Sequence, residues 1–398
     1  MYRLVQRRGI IGLFCLLFVA SSVVPGWAQK DNRFEVSKNL DIFNSLLKEV
    51  EMFYVDSVDV DKTVQRGIEA MLAGLDPYTE YYPEQKTEEL SLMTTGEYGG
   101  IGSLIRQRNN EGGVMIAEPT EGMPADLAGL KPGDLILAID TIDVSKATNS
   151  RVSELLKGVP NTKMVLTIQR PGEKKPRKFE ITRKQITTPQ VTYYGVKNDS
   201  IGYIYLKAFT IKSAQEVKEA FLDLKKNHNI KSLVLDLRGN GGGVLEGAVQ
   251  IVGMFVPKGS EVLSTKGKIK QWDRTYRTST EPLDTVMPLA ILIKGGTASA
   301  AEIVSGSLQD MDRAVLVGQR SFGKGLVQAP RDLPYNGKVK ITMSKYYIPS
   351  GRCIQQIDYS HRKEDGSVAA IPDSLTSVFY TSKKRPVRDG VAYVRSLR

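Results

Sequence analysis

Apolar and polar positions along this 398-residue chain follow first a helical and then a strand-like period. Between residues 29 and 95, apolar side chains recur at steps of three and four, as at Leu40, Phe43 and Leu47, and this spacing predicts amphipathic helices. Asp61 opens a second such stretch and is expected to cap it. The sequence therefore predicts an N-terminal helical segment over 29–95.

The period changes near residue 96. From 96 to 187, short apolar or alternating runs are separated by turn residues, a pattern typical of a small β domain with one helix at about 150–157. The predicted strands are 114–117, 134–139, 164–168 and 178–181.

After residue 188, apolar strands alternate with amphipathic helices. Strands are predicted at 201–206, 232–237 and 288–293, with helices at 213–226 and from Ser299 onward. A repeated strand, turn and helix is typical of an α/β domain. The predicted fold class is therefore mixed α/β (α+β), with a core domain over 188–398.

Residues 1–28 have the composition of an export signal. Arg3, Arg7 and Arg8 precede a fifteen-residue apolar run, and small residues precede a cleavage point after Ala28. The run is short for a membrane span, which needs about twenty residues. We expect a cleaved signal peptide and a periplasmic or other extracytoplasmic location; a retained leader would leave the protein membrane-associated.

The composition argues against several kinds of site. Histidine occurs only as His228 and His361, both in polar stretches, so neither a histidine-based triad nor a histidine-rich zinc site is expected. The net charge of +11 is dispersed, and its densest run, 174–178, is most simply a solvated hairpin turn rather than a nucleic-acid contact. With Cys15 in the leader, Cys353 has no partner for an internal disulfide. No metal or cofactor is expected.

Ser299 and Lys324 are the strongest chemical signal. A serine hydroxyl needs a base, and lysine can act as that base only if its pKa falls from about 10.4 toward neutrality. The apolar and glycine neighbours of Lys324 over 322–327 favour the burial that lowers a lysine pKa. Gln328 is placed to orient the amine through a hydrogen bond. On spacing alone, a buried serine and a lysine on unrelated elements remain the alternative.

Two glycine-rich turns suggest nucleotide binding, and neither fits it. Val244 stands where a dinucleotide fingerprint has its last Gly or Ala, and Gly325 replaces the Ser or Thr of a phosphate loop. A Ser/Lys hydrolase instead needs backbone amides where the carbonyl oxygen becomes negative. The amide of Ala300 and one amide of the 241–243 turn are the candidates.

Longer motifs resemble those of known families. Residues 98–102 and 124–134 resemble a PDZ domain, in which a glycine-rich turn can take a terminal carboxylate and a strand edge can pair with a peptide tail. The chain from about 41 to 388 resembles the carboxyl-terminal processing peptidases, or tail-specific proteases, whose cores are of the Clp protease and crotonase-like type. The matching motifs occur in the family's order: 74–79, the PDZ segment, 235–243, 296–302 and 323–328.

The resemblance implies a role for each matched residue. Ser299 would be the nucleophile, Lys324 the general base and Gln328 its orienting residue. The remaining implied residues are the oxyanion-hole amides of Gly243 and Ala300, the supporting residues Asp310, Glu302 and Arg170, and the peptide-binding loop Gly99, Gly100, Ile101 and Gly102. Gly241, Ala301 and Cys353 differ from the family's common residues. The chain lacks the family's usual continuation after Gly390, so a core truncated at its C-terminus is expected.

The sequence therefore predicts an exported serine endopeptidase that receives the C-terminal tail of a protein substrate at its PDZ domain and cleaves it through an acyl-enzyme on Ser299. The resemblance implies a preference for apolar terminal residues and leaves open an adaptor lipoprotein and a homo-oligomer. Two alternatives are a PDZ adaptor with an impaired core and a crotonase-like enzyme acting on an acyl thioester.

Overall fold

The structure is a computed structural model that describes residues 32–108, 112–390 and 392. The predicted signal peptide, 1–28, lies outside the described residues. Two compact units divide the chain between Ile68 and Glu69. Within the described residues, no helix combines the length and apolar character needed to cross a membrane.

Helix α1, Arg33–Phe53, has no buried residue, and most of its apolar side chains are exposed. Helix α2 spans Val60–Ala73. Asp59 caps this second helix, because its Oδ1 accepts a hydrogen bond from Lys62 N at 3.1 Å. The predicted cap, Asp61, is wrong: it lies inside the first turn, past the position from which a side chain reaches the free amides of that turn.

A small antiparallel sheet with the order β3-β4-β5-β7-β8 follows, and β6 pairs with β5. Alternate side chains of its strands are buried in a core of their own. Strand β2 pairs with β9, so the chain enters and leaves this domain on neighbouring strands. The elements are the 3₁₀ turn Glu84–Lys86, α3 Thr87–Thr95, β2 Glu97–Gly100, β3 Ser103–Gln107, β4 Val114–Pro119, α4 Pro124–Leu127, β5 Leu135–Ile139, β6 Ile142–Asp143, α5 Asn149–Leu156, β7 Lys163–Gln169, β8 Arg177–Thr182 and β9 Lys184–Thr187.

The central sheet has the order β10-β11-β12-β15-β16. Strands β11, β12, β15 and β16 are parallel, and β10 is antiparallel to β11. Because parallel strands end at the same edge, the turns that follow β12, β15 and β16 lie side by side. The elements are β10 Val191–Lys197, β11 Ile201–Leu206, α6 Ser213–Asn227, β12 Ser232–Asp236, α7 Leu245–Gly253, β15 Leu289–Ile293, α8 Ala300–Asp310 and β16 Val315–Gly318.

A second antiparallel sheet has the order β1-β18-β13-β14, and β17 also pairs with β18. Strand β1 brings a turn from early in the chain, 76–79, against β18 near the other end. The elements are β1 Glu80–Tyr82, β13 Glu261–Gly267, β14 Arg274–Arg277, β17 Leu326–Asp332, β18 Lys338–Tyr347, β19 Val378–Tyr380, β20 Pro386–Arg388 and the 3₁₀ turns Lys270–Trp272 and Asp373–Leu375. Helices and strands mix as the sequence predicted, and the predicted mixed α/β class is confirmed.

Candidate functional site

Three turns at the carboxyl edge of the central sheet form the candidate site. Strand β12 leads into the glycine turn 239–243, β15 leads to Ser299, and β16 leads to the loop that carries Lys324. Ala298 N donates to Asn240 O at 3.0 Å, which joins the first two turns. The edge geometry that the strand order imposes therefore brings the predicted serine and lysine segments together.

Ser299 lies in a sharp turn between β15 and α8. Its backbone has φ 56° and ψ −119°, a conformation that a residue with a Cβ rarely adopts. Such strain costs roughly 1–3 kcal/mol and persists only where neighbouring groups hold it. A strained serine at a strand-to-helix turn is the geometry of a nucleophile elbow.

The carboxylate of Glu302 holds this turn in place. The side chain is fully buried, and its Oε2 accepts hydrogen bonds from Ser299 N at 2.9 Å and Lys324 N at 2.8 Å. Its Oε1 accepts from Ser321 Oγ at 2.6 Å and Gly323 N at 2.7 Å. One carboxylate thus joins the serine turn to the lysine loop. The Ser-x-x-Glu spacing of a capping box was the sequence signal for half of this arrangement.

Burial also affects the charge of that carboxylate. It raises the pKa of Glu302 to about 7, while the four donors around its oxygens act in the opposite direction. A proton on Oε2 would disturb the acceptor that Ser299 N and Lys324 N share, and a proton on Oε1 would disturb the contacts with Ser321 and Gly323.

The hydroxyl of Tyr346, on β18, lies beside the backbone carbonyl oxygens of Ser299 and Lys324. Its hydroxyl lies 2.9 Å from Lys324 O and 3.3 Å from Ser299 O, and its side chain is buried. Burial raises the pKa of Tyr346 well above its ordinary value, so the hydroxyl keeps its proton and remains a donor. Sequence analysis missed this residue, because a tyrosine in an alternating strand gives no sign of a distant partner.

The ammonium of Lys324 lies over an aromatic ring. Its Nζ is 4.1 Å from the centroid of the Tyr78 ring, a cation–π distance. The pKa of Lys324 is lowered to about 8, mainly by burial and to a smaller extent by the nearby charge of Lys340. Three carboxylates, of which Asp76 acts most strongly, oppose the change. The direction is the one that the apolar neighbours predicted.

The predicted orienting residue, Gln328, lies on β17 beside this loop. Its Nε2 donates to Thr342 Oγ1 on β18 at 3.0 Å. Among the described residues, no hydrogen bond joins Lys324 Nζ to Ser299 Oγ or to Gln328. The site is thus assembled through backbone and neighbouring side chains rather than through a direct serine–lysine bond.

The glycine turn offers the predicted amides. Gly242 N donates to Asn240 Oδ1 at 2.8 Å, whereas in the described part of the chain the amides of Gly243 and Ala300 donate no hydrogen bond. A Cβ on Gly242 would lie 2.7 Å from Ser299 Cβ and 2.9 Å from Ala300 N. Only glycine allows this turn to approach the serine so closely.

Asp310, at the far end of α8, forms a fully buried ion pair with Arg352, with an oxygen-to-nitrogen distance of 2.8 Å. Its other oxygen accepts from Ser350 N at 3.1 Å. These contacts anchor the end of the helix whose beginning carries the serine. A structural role for Asp310 accords with this position.

Arg170 is bound within the small β domain. Its guanidinium donates to both carboxylate oxygens of Asp134, at 2.7 and 2.8 Å, and to Gly129 O at 2.9 Å. The recorded contacts of this side chain among the described residues all lie in that domain, and the structure does not bring it to Ser299.

The predicted peptide-binding segment, Gly99 to Gly102, comprises the last two residues of β2 and the two residues that connect it to β3. Gly99 N donates to Glu88 Oε1 at 3.0 Å, and Gly102 has φ +66°. Ile101 is buried in the core of the domain. Strand β3 pairs on one side with β4 and stands at the edge of the sheet, beside α5.

With this geometry in place, comparisons with known proteins define the class. A family model described as a PDZ domain matches residues 115–170, so the small β domain is a PDZ domain. The model of peptidase family S41 matches residues 200–360, which include all three turns. Among the described residues, no cluster of side chains is suited to bind a metal ion.

Two relatives agree with these matches. The chain is 36% identical over 345 residues to a carboxy-terminal-processing protease of Bartonella bacilliformis, covering 86% of this chain and 77% of that protein. It is 32% identical over 320 residues to a probable CtpA-like serine protease of Staphylococcus aureus, covering 79% of this chain and 62% of that protein. A solved structure described as a photosystem II D1 C-terminal processing protease is 29% identical, covers 78% of this chain and 83% of that one, and has a TM-score of 0.43. The chain belongs to peptidase family S41, among the carboxy-terminal-processing proteases.

Proposed function

We propose that this chain is an exported serine endopeptidase that binds the C-terminal tail of a protein at its PDZ domain and cuts inside that tail. Ser299 is the nucleophile and Lys324 the general base. The observation that carries the proposal is the shared Glu302 carboxylate, which holds a strained serine turn against the loop of a lysine with a lowered pKa.

The chemistry starts from a neutral Lys324 amine. The amine moves from the Tyr78 ring to Ser299 Oγ and takes its proton while Oγ attacks the scissile carbonyl, since catalytic hydrogen bonds often tighten only when substrate is bound. The developing oxyanion accepts from the amides of Gly243 and Ala300, and each such donor contributes roughly 3 kcal/mol. The ammonium then protonates the leaving amine, and water, deprotonated by the same lysine, releases the acyl group.

The PDZ domain would present the substrate. The open edge of β3 can pair with an extended peptide, and backbone amides of the glycine loop can take its terminal carboxylate. Recognition of a free carboxyl end follows from this mode. The proposal of export depends on the leader pattern in residues 1–28.

The test uses the chain from Gln29 onward, a fluorophosphonate probe, and peptides with free or amidated carboxyl ends. We expect the probe to label wild type, to fail on Ser299→Ala and Lys324→Ala, and to label Lys345→Ala, a matched control at an exposed lysine. Cleavage should favour the free carboxyl end.

Other outcomes would favour the alternatives. Equal labelling of Lys324→Ala and wild type would refute lysine as the base. Binding of the tail peptide without cleavage would support an adaptor, and hydrolysis of an acyl thioester with the peptide left whole would support a crotonase-like enzyme.

A further inference from the structure

The turn before β1 contains a buried carboxylate that the proposed chemistry does not use. Asp76 is 7% exposed and Thr79 is 4% exposed. Asp76 Oδ1 accepts from the backbone N–H groups of Tyr78 and Thr79, both at 2.8 Å, and this fixes the turn. Its second oxygen, Oδ2, lies 3.0 Å from Thr79 Oγ1.

From Thr79 the contacts continue across the β1–β18 pairing. Thr79 Oγ1 lies 3.3 Å from Thr342 Oγ1 and accepts from Thr342 N at 3.2 Å. Thr342 Oγ1 in turn accepts from Gln328 Nε2 at 3.0 Å. A continuous line of polar atoms therefore runs from the Asp76 carboxylate to the Gln328 amide.

The protons in this line can be arranged in one way that gives every contact a donor. A carboxylate only accepts, and each threonine hydroxyl has a single proton. The angles at both contacts of Thr79 Oγ1 suit Thr79 as the donor, but its single proton goes to the charged Asp76 oxygen, in the shorter and stronger charge-assisted bond. Thr342 must therefore supply the proton for the Thr79–Thr342 contact. The remaining contact, between Thr342 and Gln328, must then be donated by the Gln328 amide nitrogen.

This direction decides which end of the Gln328 amide faces Thr342. With Nε2 committed there, Oε1 is the end left to accept a hydrogen bond, and among the described residues no donor to it is recorded. Oε1 is the group that an amine needs from an orienting partner, because a lysine amine offers N–H donors.

We propose that Asp76 is a positioning residue that sets the orientation of the Gln328 amide through the hydroxyls of Thr79 and Thr342. The inference rests on the proposed function and adds Asp76, Thr79 and Thr342 to the same site. It gives the buried turn before β1 a role in the site, although its sequence lies more than two hundred residues from Ser299.

The sharpest test is Asp76→Asn, which has the same shape. The Asn Oδ1 can still accept from the two backbone amides, so the turn should keep its structure. The Asn Nδ2 would donate a hydrogen bond to Thr79 Oγ1, so the Thr79 hydroxyl would donate to Thr342 Oγ1 and the Thr342 hydroxyl would donate to Gln328. Gln328 would then have to turn its Oε1 toward Thr342 and away from the lysine. We expect kcat to fall about tenfold, the effect of one misplaced hydrogen bond, with KM and the unfolding midpoint nearly unchanged.

Thr342→Val and Thr342→Ser form the matched pair. Valine removes the linking hydroxyl at constant shape, so kcat should fall about tenfold, while serine keeps the hydroxyl and should stay within about threefold of wild type. In a Gln328→Ala background, assayed above the pKa of Lys324 so that loss of the Asp76 charge leaves the amine neutral, both Asp76→Asn and Thr342→Val should cause no further loss, because the residue they orient is gone.

Three results would overturn the inference. The first is a wild-type kcat for both Asp76→Asn and Thr342→Val, and the second is a loss of kcat that stays as large in the Gln328→Ala background. The third is a loss of kcat that is accompanied by a fall in the unfolding midpoint. Ser299→Ala is measured alongside. Cleavage that survives Ser299→Ala refutes the proposed function itself, whereas failure of this inference alone leaves Ser299→Ala inactive and appears only in the Asp76 and Thr342 series.

Discussion

Replacing Lys324 by methionine should make the protein more stable at neutral pH and catalytically inactive. Burial holds the pKa of Lys324 at about 8, below its ordinary value of 10.5, so the folded protein disfavours the charged amine. Because the folded pKa lies below the unfolded one, this cost is full below about pH 8 and vanishes as the pH rises through 10.5. Methionine has a similar length, carries no charge and packs well on an aromatic ring.

The size of the effect follows from the two pKa values. A difference of about 2.5 pKa units corresponds to about 3 kcal/mol in the free energy of unfolding at pH 7, and linkage reduces this to about half near pH 9.5. Loss of the cation–π contact with Tyr78 offsets part of the gain, by about 0.5–2 kcal/mol. The full 3 kcal/mol would raise the unfolding midpoint by roughly 4 °C in a unit of this size.

Calorimetry of Lys324→Met and wild type at pH 7 and pH 9.5 measures both the gain and its pH dependence. Lys218→Met, at an exposed lysine on α6, is the control and should show no pH-dependent difference from wild type. An unchanged midpoint for Lys324→Met at pH 7, or a gain of equal size at both pH values, would show that burial does not depress this lysine pKa.

Three further predictions concern the same site. Tyr78→Leu removes the ring face that stabilises the ammonium, so the rise of kcat/KM with pH should move lower by about half a unit to one unit, while Tyr78→Phe leaves it in place. Gly242→Ala puts a methyl group 2.7 Å from Ser299 Cβ, and peptide cleavage should fall at least a hundredfold, whereas Gly259→Ala, in open space at a similar positive φ, should keep wild-type cleavage. Tyr346→Phe removes the hydroxyl that spans the Ser299 and Lys324 carbonyls, so probe labelling of Ser299 should slow about tenfold at an unchanged probe affinity; equal labelling rates would rule out this role.

Local pattern was sufficient for much of the fold. The strands that lead to the 239–243 turn and to Ser299 are mostly apolar and are followed within three residues by glycine, and parallel order then places their ends at one edge. The direction of the change in the Lys324 pKa was also predictable, since its apolar and glycine neighbours in the sequence indicated burial. The peptide-binding role of the PDZ loop and the role of Arg170 remain predictions.

The residues that sequence analysis missed are those supplied from a distance. Tyr78 reaches Lys324, and Thr79 reaches Thr342, because β1 pairs with β18 in a register that local periodicity does not encode. Tyr346 differs from an ordinary core tyrosine only through the two carbonyls near its hydroxyl. The cap of α2 was predicted at Asp61 instead of Asp59 for a simpler reason. The two aspartates are two residues apart, and helix ends are the part of a helix that a sequence pattern locates least well.

The pairing of β2 with β9 has a topological consequence for the core. Gly96 and Thr188, which flank the PDZ insertion, are joined by a backbone hydrogen bond from Thr188 N to Gly96 O at 2.9 Å. The two ends of the PDZ insertion are therefore held next to each other by this pairing, whatever lies between them. Its length and sequence can therefore change at little entropic cost to the core domain, so the tail selection proposed for the PDZ domain can diverge while the core stays the same.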